Sequence, residues 1–405
     1  MESKSTNYSL VFAILLAVFS AIGPFTIDMY LASFPDMMGY FETKATIVQA
    51  SLTTCILGVA FGQIMMGALS DVHGRRKPLF ISMIVYAFSS FACAFAPNIT
   101  IFIILRFIQG FSGSAGIVIS RAIVRDLYSG IELTKFFSLL TVIGNLAPLI
   151  APLAGSVVIS FVSWVGIFIF LGIFGIILST ITTWKIKESL PKERRVSSDF
   201  MGLLRNFKEL LKDRKFIGYA FVQGVLFSGV FAYISGATFI YQNIYGVSPQ
   251  VFSMLFALNG ISLILGAQLV KILAGRVKED SILFIGLLIA FISGVIVLMD
   301  VFLHGPLIML VIPLSLLNSA VGITGPTSFA LAMESQGHIA GSAAALLGVV
   351  PTLLGAITSP LVGIAGEYSA VPYGVIIFTT SMLSVFIYFT ISKNSKSHSI
   401  PRKFS

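Results

Sequence analysis

Apolar runs of about 20 residues, the length that carries a helix across roughly 30 Å of hydrocarbon, recur along the whole sequence. Twelve can be placed, at about 10–33, 46–69, 78–97, 100–123, 135–159, 164–184, 216–239, 249–271, 281–302, 305–330, 339–364 and 372–392. They do not alternate polar and apolar residues, which excludes the strands of an outer-membrane barrel. Of the 405 residues, 56% are hydrophobic and 11% charged, well under the roughly 25% charge of a soluble domain. The expected fold is an all-α membrane protein of twelve transmembrane helices. The first run leads into Asp28 and further helix-forming sequence without a small-residue cleavage site, so it reads as a retained helix and not a signal peptide.

A net charge of +9 is the kind a nucleic-acid partner would attract, but the cations form no binding face. Of 26 Lys and Arg, 24 fall in alternate loops and tails or at the span ends that adjoin them, Lys44 lies on the other side and Arg106 lies inside a span. That asymmetry predicts both termini in the cytoplasm of a multi-pass protein of the cell membrane, with a lipid bilayer as its partner. Cys55 and Cys93 both fall within apolar runs and read as free buried thiols. The one long break, Lys185 to Lys215, carries ten cations and Pro191. It divides the chain into a six-span half (1–184), a cytoplasmic linker (185–215) and a second six-span half (216–405).

The first basic loop, GALSDVHGRRKPL (Gly67 to Leu79), sets Gly67, Asp71, Gly74 and Arg75 between two spans. It resembles the loop motif of the major facilitator superfamily, G-x-x-x-D-x-x-G-R-[RK], between the second and third helices. Gly275-Arg276 after the eighth span repeats Gly74-Arg75, with Ile272 at the place of Asp71, the relation expected of parallel repeats. The resemblance implies two six-helix pseudo-repeats around a central cavity. Asp71 stands at the C-terminal end of its helix, where the dipole disfavours a carboxylate, so something else must stabilise it. In the family this acid meets the start of the eleventh helix, here near Ile339 to Ser342, and the motif arginine meets an acid at the end of the fourth, here Asp126. Those five residues, Gly67, Asp71, Gly74, Arg75 and Asp126, would form a cytoplasmic gate; the competing account is a solvated loop whose cations set topology.

The fourth span reads LRFIQGFSGSAG, Leu105 to Gly116, and is similar to the family's second motif, an arginine followed three residues on by glutamine. Arg106 lies roughly 9 Å in from the outer end and Asp28 of the first span roughly 8 Å in, by the helical rise. A charge at such depth is a functional hypothesis by default. Their shared depth predicts a pair or a water-bridged relay for proton coupling, against a purely structural ion pair. TIDMYLASFPDMM, Thr26 to Met38, is similar to the first-helix signature of the bicyclomycin and chloramphenicol resistance branch. Ala32 replaces its usual proline, which predicts a straighter helix. Asp36, at the outer mouth, is a further proton-coupling candidate or a solvated end residue. GNLAPLIAPLAG, with Gly144, Pro148, Pro152 and Gly155, is similar to the family's antiporter motif, although Ala147 stands where glycine usually precedes the proline.

Tyr30, Gln109, Asn145, Gln223, Tyr233, Asn259 and Asn318 are the candidates for the substrate cavity, set against a role as interhelical glue. No G-x-x-x-x-G-K-[ST] sequence occurs, and the four His (His73, His304, His338, His398) are scattered, which argues against a nucleotide-driven permease, a membrane enzyme and a metal site. The expectation is therefore a monomeric, cofactor-free, proton-coupled multidrug exporter of small lipophilic compounds or antibiotics, with no enzymatic activity. The alternative is a transporter of the same fold moving a dedicated metabolite, such as a sugar or amino-acid derivative.

Overall fold

A backbone in hydrocarbon must satisfy its own N–H and C=O groups, and here every apolar run does so as helix. The structure, a computed structural model, describes residues 10–128, 130–195, 205, 207–334, 336 and 340–396. The helices are α1 (Leu10–Asp28), α2 (Phe34–Tyr40), α3 (Ala45–His73), α4 (Arg76–Ala94), α5 (Ile99–Leu127), α6 (Gly130–Phe161) and α7 (Val165–Lys185). They continue as α8 (Arg214–Phe239), α9 (Pro249–Leu273), α10 (Glu279–Leu303), α11 (Leu307–Met333), α12 (Ala340–Leu361) and α13 (Val371–Lys396). Among the described residues eleven segments are long and apolar enough to cross a membrane, and α6, apolar over Leu146–Phe161, is the remaining long helix.

The chain divides into two units, Met1–Thr43 with Thr54–Asp199, and Lys44–Thr53 with Phe200–Ser405. This differs from two halves, 1–184 and 216–405, joined by a separate linker in two respects: the linker is divided between the units, and the first turns of α3 belong to the second unit. There Thr46 Oγ1 donates to Gly363 O at 2.9 Å and Gln49 Nε2 donates to Ser235 O at 3.2 Å. The first part of the linker stays on the first unit, where Glu188 accepts from the Arg75 backbone N–H at 2.8 Å.

The internal repeat is visible in the packing. In the first unit α1 packs on α5 and α6, and α4 on α5 and α7; in the second α8 packs on α11 and α12, and α10 on α11 and α13. Glycine lets backbones meet at matching places. A Cβ on Gly58 or Gly110 would overlap the carbonyl oxygen of Phe107 or Cys55, and one on Gly266 or Gly322 that of Ser319 or Leu263. Both repeat glycines, Gly74 and Gly275, sit at positive φ, +88° and +75°, where a side chain would be strained.

One element departs from expectation. The first span is not a straight helix: α1 ends at Asp28, a 3₁₀ turn covers Leu31–Ser33, and α2 starts at Phe34. The cause is Pro35, which has no N–H for Leu31 and whose ring would crowd that carbonyl; the Phe34 N–H takes Leu31 O instead. The opened backbone at Met29 lies against α6, where a Cβ on Gly155 would overlap the Met29 carbonyl oxygen, while Gly144 faces open space. Gly155→Ala should therefore lower the thermal stability of the purified protein by about 1–3 kcal/mol, the usual cost of overpacking, and reduce transport. Gly144→Ala should do neither, and equal behaviour of the two variants would contradict this packing.

Candidate functional site

Ending α1 at Asp28 leaves its last carbonyls without their i+4 donors. Arg106 of α5 fills part of that gap, its Nη2 donating to Thr26 O at 2.9 Å. A cation is well placed there, at the negative end of the α1 dipole. Its Nη1 donates to Gln109 Oε1 one turn on. Gln109 Nε2 in turn donates to Ser90 Oγ at 2.7 Å, and Ser90 Oγ to Tyr86 O at 2.7 Å. The Tyr86 hydroxyl closes the ring by bonding Thr26 Oγ1 at 2.7 Å. The guanidinium also stands 4.2 Å from the centroid of Tyr30 and 5.5 Å from that of Phe168, where ring faces attract a cation.

The expected Asp28–Arg106 pair is not formed. Arg106 is fully buried, yet no ion pair within 4.0 Å engages it among the described residues, and its Nε is buried without a hydrogen-bond partner. Asp28 is 5% exposed, and among the described residues its carboxylate makes no hydrogen bond or ion pair. Matched depth thus put the two groups in one neighbourhood, but Arg106 reaches the α1 backbone instead of the acid, because the helix break supplies acceptors two residues earlier. Asp36 lies apart, exposed in the first turn of α2.

A second cluster forms on the α3–α4 turn. Arg75, 2% exposed, donates from Nε to Asp126 Oδ2 at 2.7 Å and from Nη1 to Asp71 Oδ1 at 2.6 Å and Ser70 Oγ at 2.8 Å. Burial opposes its positive charge, but the hydrogen bonds it donates to Asp126 and Asp71 outweigh that and hold the guanidinium protonated more firmly than in water. Asp126 also accepts from Ser189 Oγ at 3.1 Å. Asp71, which needed a partner at its helix end, has one in Arg75, inside the first unit. Of the family partner positions, Ile339 to Ser342, Ile339 lies outside the described residues. Gly67 has only the Val118 side chain within van der Waals reach of where a Cβ would stand.

In the second unit, Asn259 of α9 donates to the Tyr233 hydroxyl of α8 at 3.0 Å and accepts from Ser315 Oγ of α11 at 3.0 Å. Tyr233 stacks on Phe256. Asn318 donates to Leu314 O of its own helix, and Gln223 Oε1 is buried without a hydrogen-bond partner among the described residues. The Asn145 side chain lies outside the described residues. Pro148 and Pro152 sit within an unbroken α6.

Sequence reasoning missed Thr26, Tyr86 and Ser90, since hydroxyl residues in spans look alike until their neighbours are known. Glu188 was missed because its partners on the α3–α4 turn, Arg75 and Arg76, lie over 100 residues away in sequence. Asp300 had a signal, an acid within an apolar run: it is 4% exposed with both carboxylate oxygens unpartnered among the described residues, while nearby Tyr245 donates to Gly305 O at 3.0 Å.

The family model for the Major Facilitator Superfamily matches residues 14–360. The MFS-type transporter YdgK of Bacillus subtilis (strain 168) is 46% identical over 395 residues, 97% of this chain and 98% of the relative. A bicyclomycin resistance protein homolog of Haemophilus influenzae (strain ATCC 51907 / DSM 11121 / KW20 / Rd) is 31% identical over 98% of this chain and 99% of its own, and a chloramphenicol resistance protein of Pseudomonas aeruginosa is 28% identical over 95% and 92%. Among solved structures, a bacterial homolog of the human lysosomal transporter Spinster has the same fold, with a TM-score of 0.76 at 14% identity over 99% of this chain and 100% of that one. The chain belongs to the Major Facilitator Superfamily, in its bicyclomycin and chloramphenicol resistance branch, and is a multi-pass membrane transporter and not an enzyme.

Proposed function

We propose that this transporter exports small, largely lipophilic compounds in exchange for protons, by alternating access across the cell membrane. The observation that carries the reading is the state of Asp28 and Arg106. Two opposite charges lie buried in one unit, and neither is consumed by the other. An internal ion pair would be inert ballast, whereas a buried acid and a buried cation each short of partners remain available to a proton and to a ligand's polar group. Apolar burial favours the neutral form of a carboxyl group and a nearby cation the ionised form, so a ligand that alters either contact can load or release a proton. The neutral, aromatic character of Tyr233, Asn259 and Ser315 supports a substrate without a large fixed charge. The drug-resistance names of the relatives support the same class.

The orientation we propose, with both termini in the cytoplasm, rests on the distribution of cations among the loops. On that orientation the Arg75 cluster lies on the cytoplasmic face, and Gly67, Asp71, Gly74, Arg75 and Asp126 act there as part of a gate, Arg75 bracing the end of α3 against the end of α5. The test of exchange is made in everted vesicles. Adding a substrate from a chemically mixed panel should release protons from the energised vesicle interior, and an uncoupler should collapse uphill accumulation while ATP is held constant. Uphill transport that persists without a proton gradient would refute the proposal.

A further inference from the structure

Where α4 begins and α7 ends, both in the first unit, a cavity of about 490 Å³ opens between Arg76, Lys77, Phe80, Thr183, Glu188 and Arg195, with His73 at its edge. None of these residues belongs to the Asp28–Arg106 cluster. The single carboxylate is already engaged: Glu188 accepts from the backbone N–H groups of Arg75 at 2.8 Å, Arg76 at 3.3 Å and Leu190 at 3.0 Å, and lies 3.8 Å from Arg195 Nη2. Those bonds also occupy the amides at the start of α4. The cations retain capacity. Arg76 uses one N–H on Thr183 O at 2.5 Å, and Lys77 makes no hydrogen bond or ion pair among the described residues. Three cations therefore face one acid, a surplus of two positive charges, and the cavity has the chemistry of an anion site.

What kind of anion follows from the wall. Phe80 lines the cavity, and from it α4 runs on with Ile81, Ile84 and Phe88 exposed at 50%, 45% and 74%, on one helical face. Trp184, beside Thr183, is 79% exposed, as an aromatic residue at a membrane interface is. A soluble anion would use the cations and leave that strip idle; a phospholipid uses both. We propose that this cavity holds the phosphate headgroup of an anionic phospholipid in the leaflet at the α3–α4 turn, with an acyl chain lying along α4. The inference rests on the membrane-spanning fold and is independent of the exchange chemistry above.

The test uses the full chain reconstituted in vesicles containing spin-labelled phosphatidylglycerol or phosphatidylcholine, comparing the motionally restricted fraction of each. Wild type should favour phosphatidylglycerol. Lys77→Gln, a side chain with no protein partner to lose, should cut the preference about fivefold, as expected for one cation beside an anionic headgroup. The Arg76→Gln, Lys77→Gln, Arg195→Gln triple variant should bring it to parity, and Lys271→Gln with Lys278→Gln in the other unit should leave it unchanged. Equal association in wild type, an unchanged preference in the triple variant or an equal loss from the second-unit pair would overturn the proposal. So would a preference abolished by millimolar inorganic phosphate, which would make this a site for a soluble anion.

Discussion

Asp28→Asn is expected to abolish uphill efflux while leaving measurable binding of neutral substrates. The change keeps shape and hydrogen-bonding capacity at the end of α1 and removes only the ability to take up and give off a proton. Because among the described residues the carboxylate has no hydrogen-bond or ion-pair partner to leave stranded, the variant should fold with near wild-type thermal stability; removing one member of a buried ion pair would instead destabilise by about 3–5 kcal/mol. Binding by the purified variant, substrate-induced proton release and accumulation in everted vesicles separate these effects. If accumulation against a gradient persists with proton release intact, Asp28 is not the carrier. The buried Asp300 is then a better next candidate than Asp36, which the fold leaves exposed.

Arg106→Ala should lose both transport and stability, and Arg106→Lys should recover only a small part of each. The guanidinium donates in two directions, to Thr26 O and to Gln109 Oε1, while lying over the ring of Tyr30. A lysine ammonium keeps the charge but not the planar fork. Each charge-assisted bond lost to a buried acceptor costs about 1.5–3 kcal/mol, so the alanine variant should show the largest fall in melting temperature among these substitutions. Gln109→Leu separates the bonds: it removes one acceptor of Arg106 and one donor to Ser90, which keeps its bond to Tyr86 O, yet leaves the cap on α1, and should be milder than Arg106→Ala. A fully active Arg106→Lys protein would show that the charge alone matters and that the cap on α1 is incidental.

Some of this was legible in one dimension. Span length, cation placement and the Gly-Arg repeat are properties of contiguous residues, and hydrocarbon enforces helix wherever an apolar run is long enough, so class and approximate span positions follow without tertiary information. Depth along a helix is equally local, which is why Asp28 and Arg106 could be placed in the same region. The Arg75–Asp126 contact was accessible only through a family resemblance.

What one dimension lacks is the angle around each helix and the partner it meets. Pro35 stood in plain view, but where α1 would open depended on α6 bringing Gly155 against Met29 and on Arg106 donating to the freed carbonyl of Thr26. The partner of Arg106 was therefore chosen by helix packing, which turned an expected ion pair into a cap and left the Asp28 carboxylate without an ion pair or hydrogen bond among the described residues. Glu188 shows the same division from the opposite side. Its sequence context is a basic linker, yet the fold carries it onto the first turn of α4, more than 100 residues away, where backbone amides need an acceptor. Composition and periodicity determined that the chain spans a membrane as helices, because the solvent imposes that on every apolar run alike. Only the tertiary structure decided which buried polar atoms satisfy one another, because hydrogen bonds depend on distances and angles that no single helix sets.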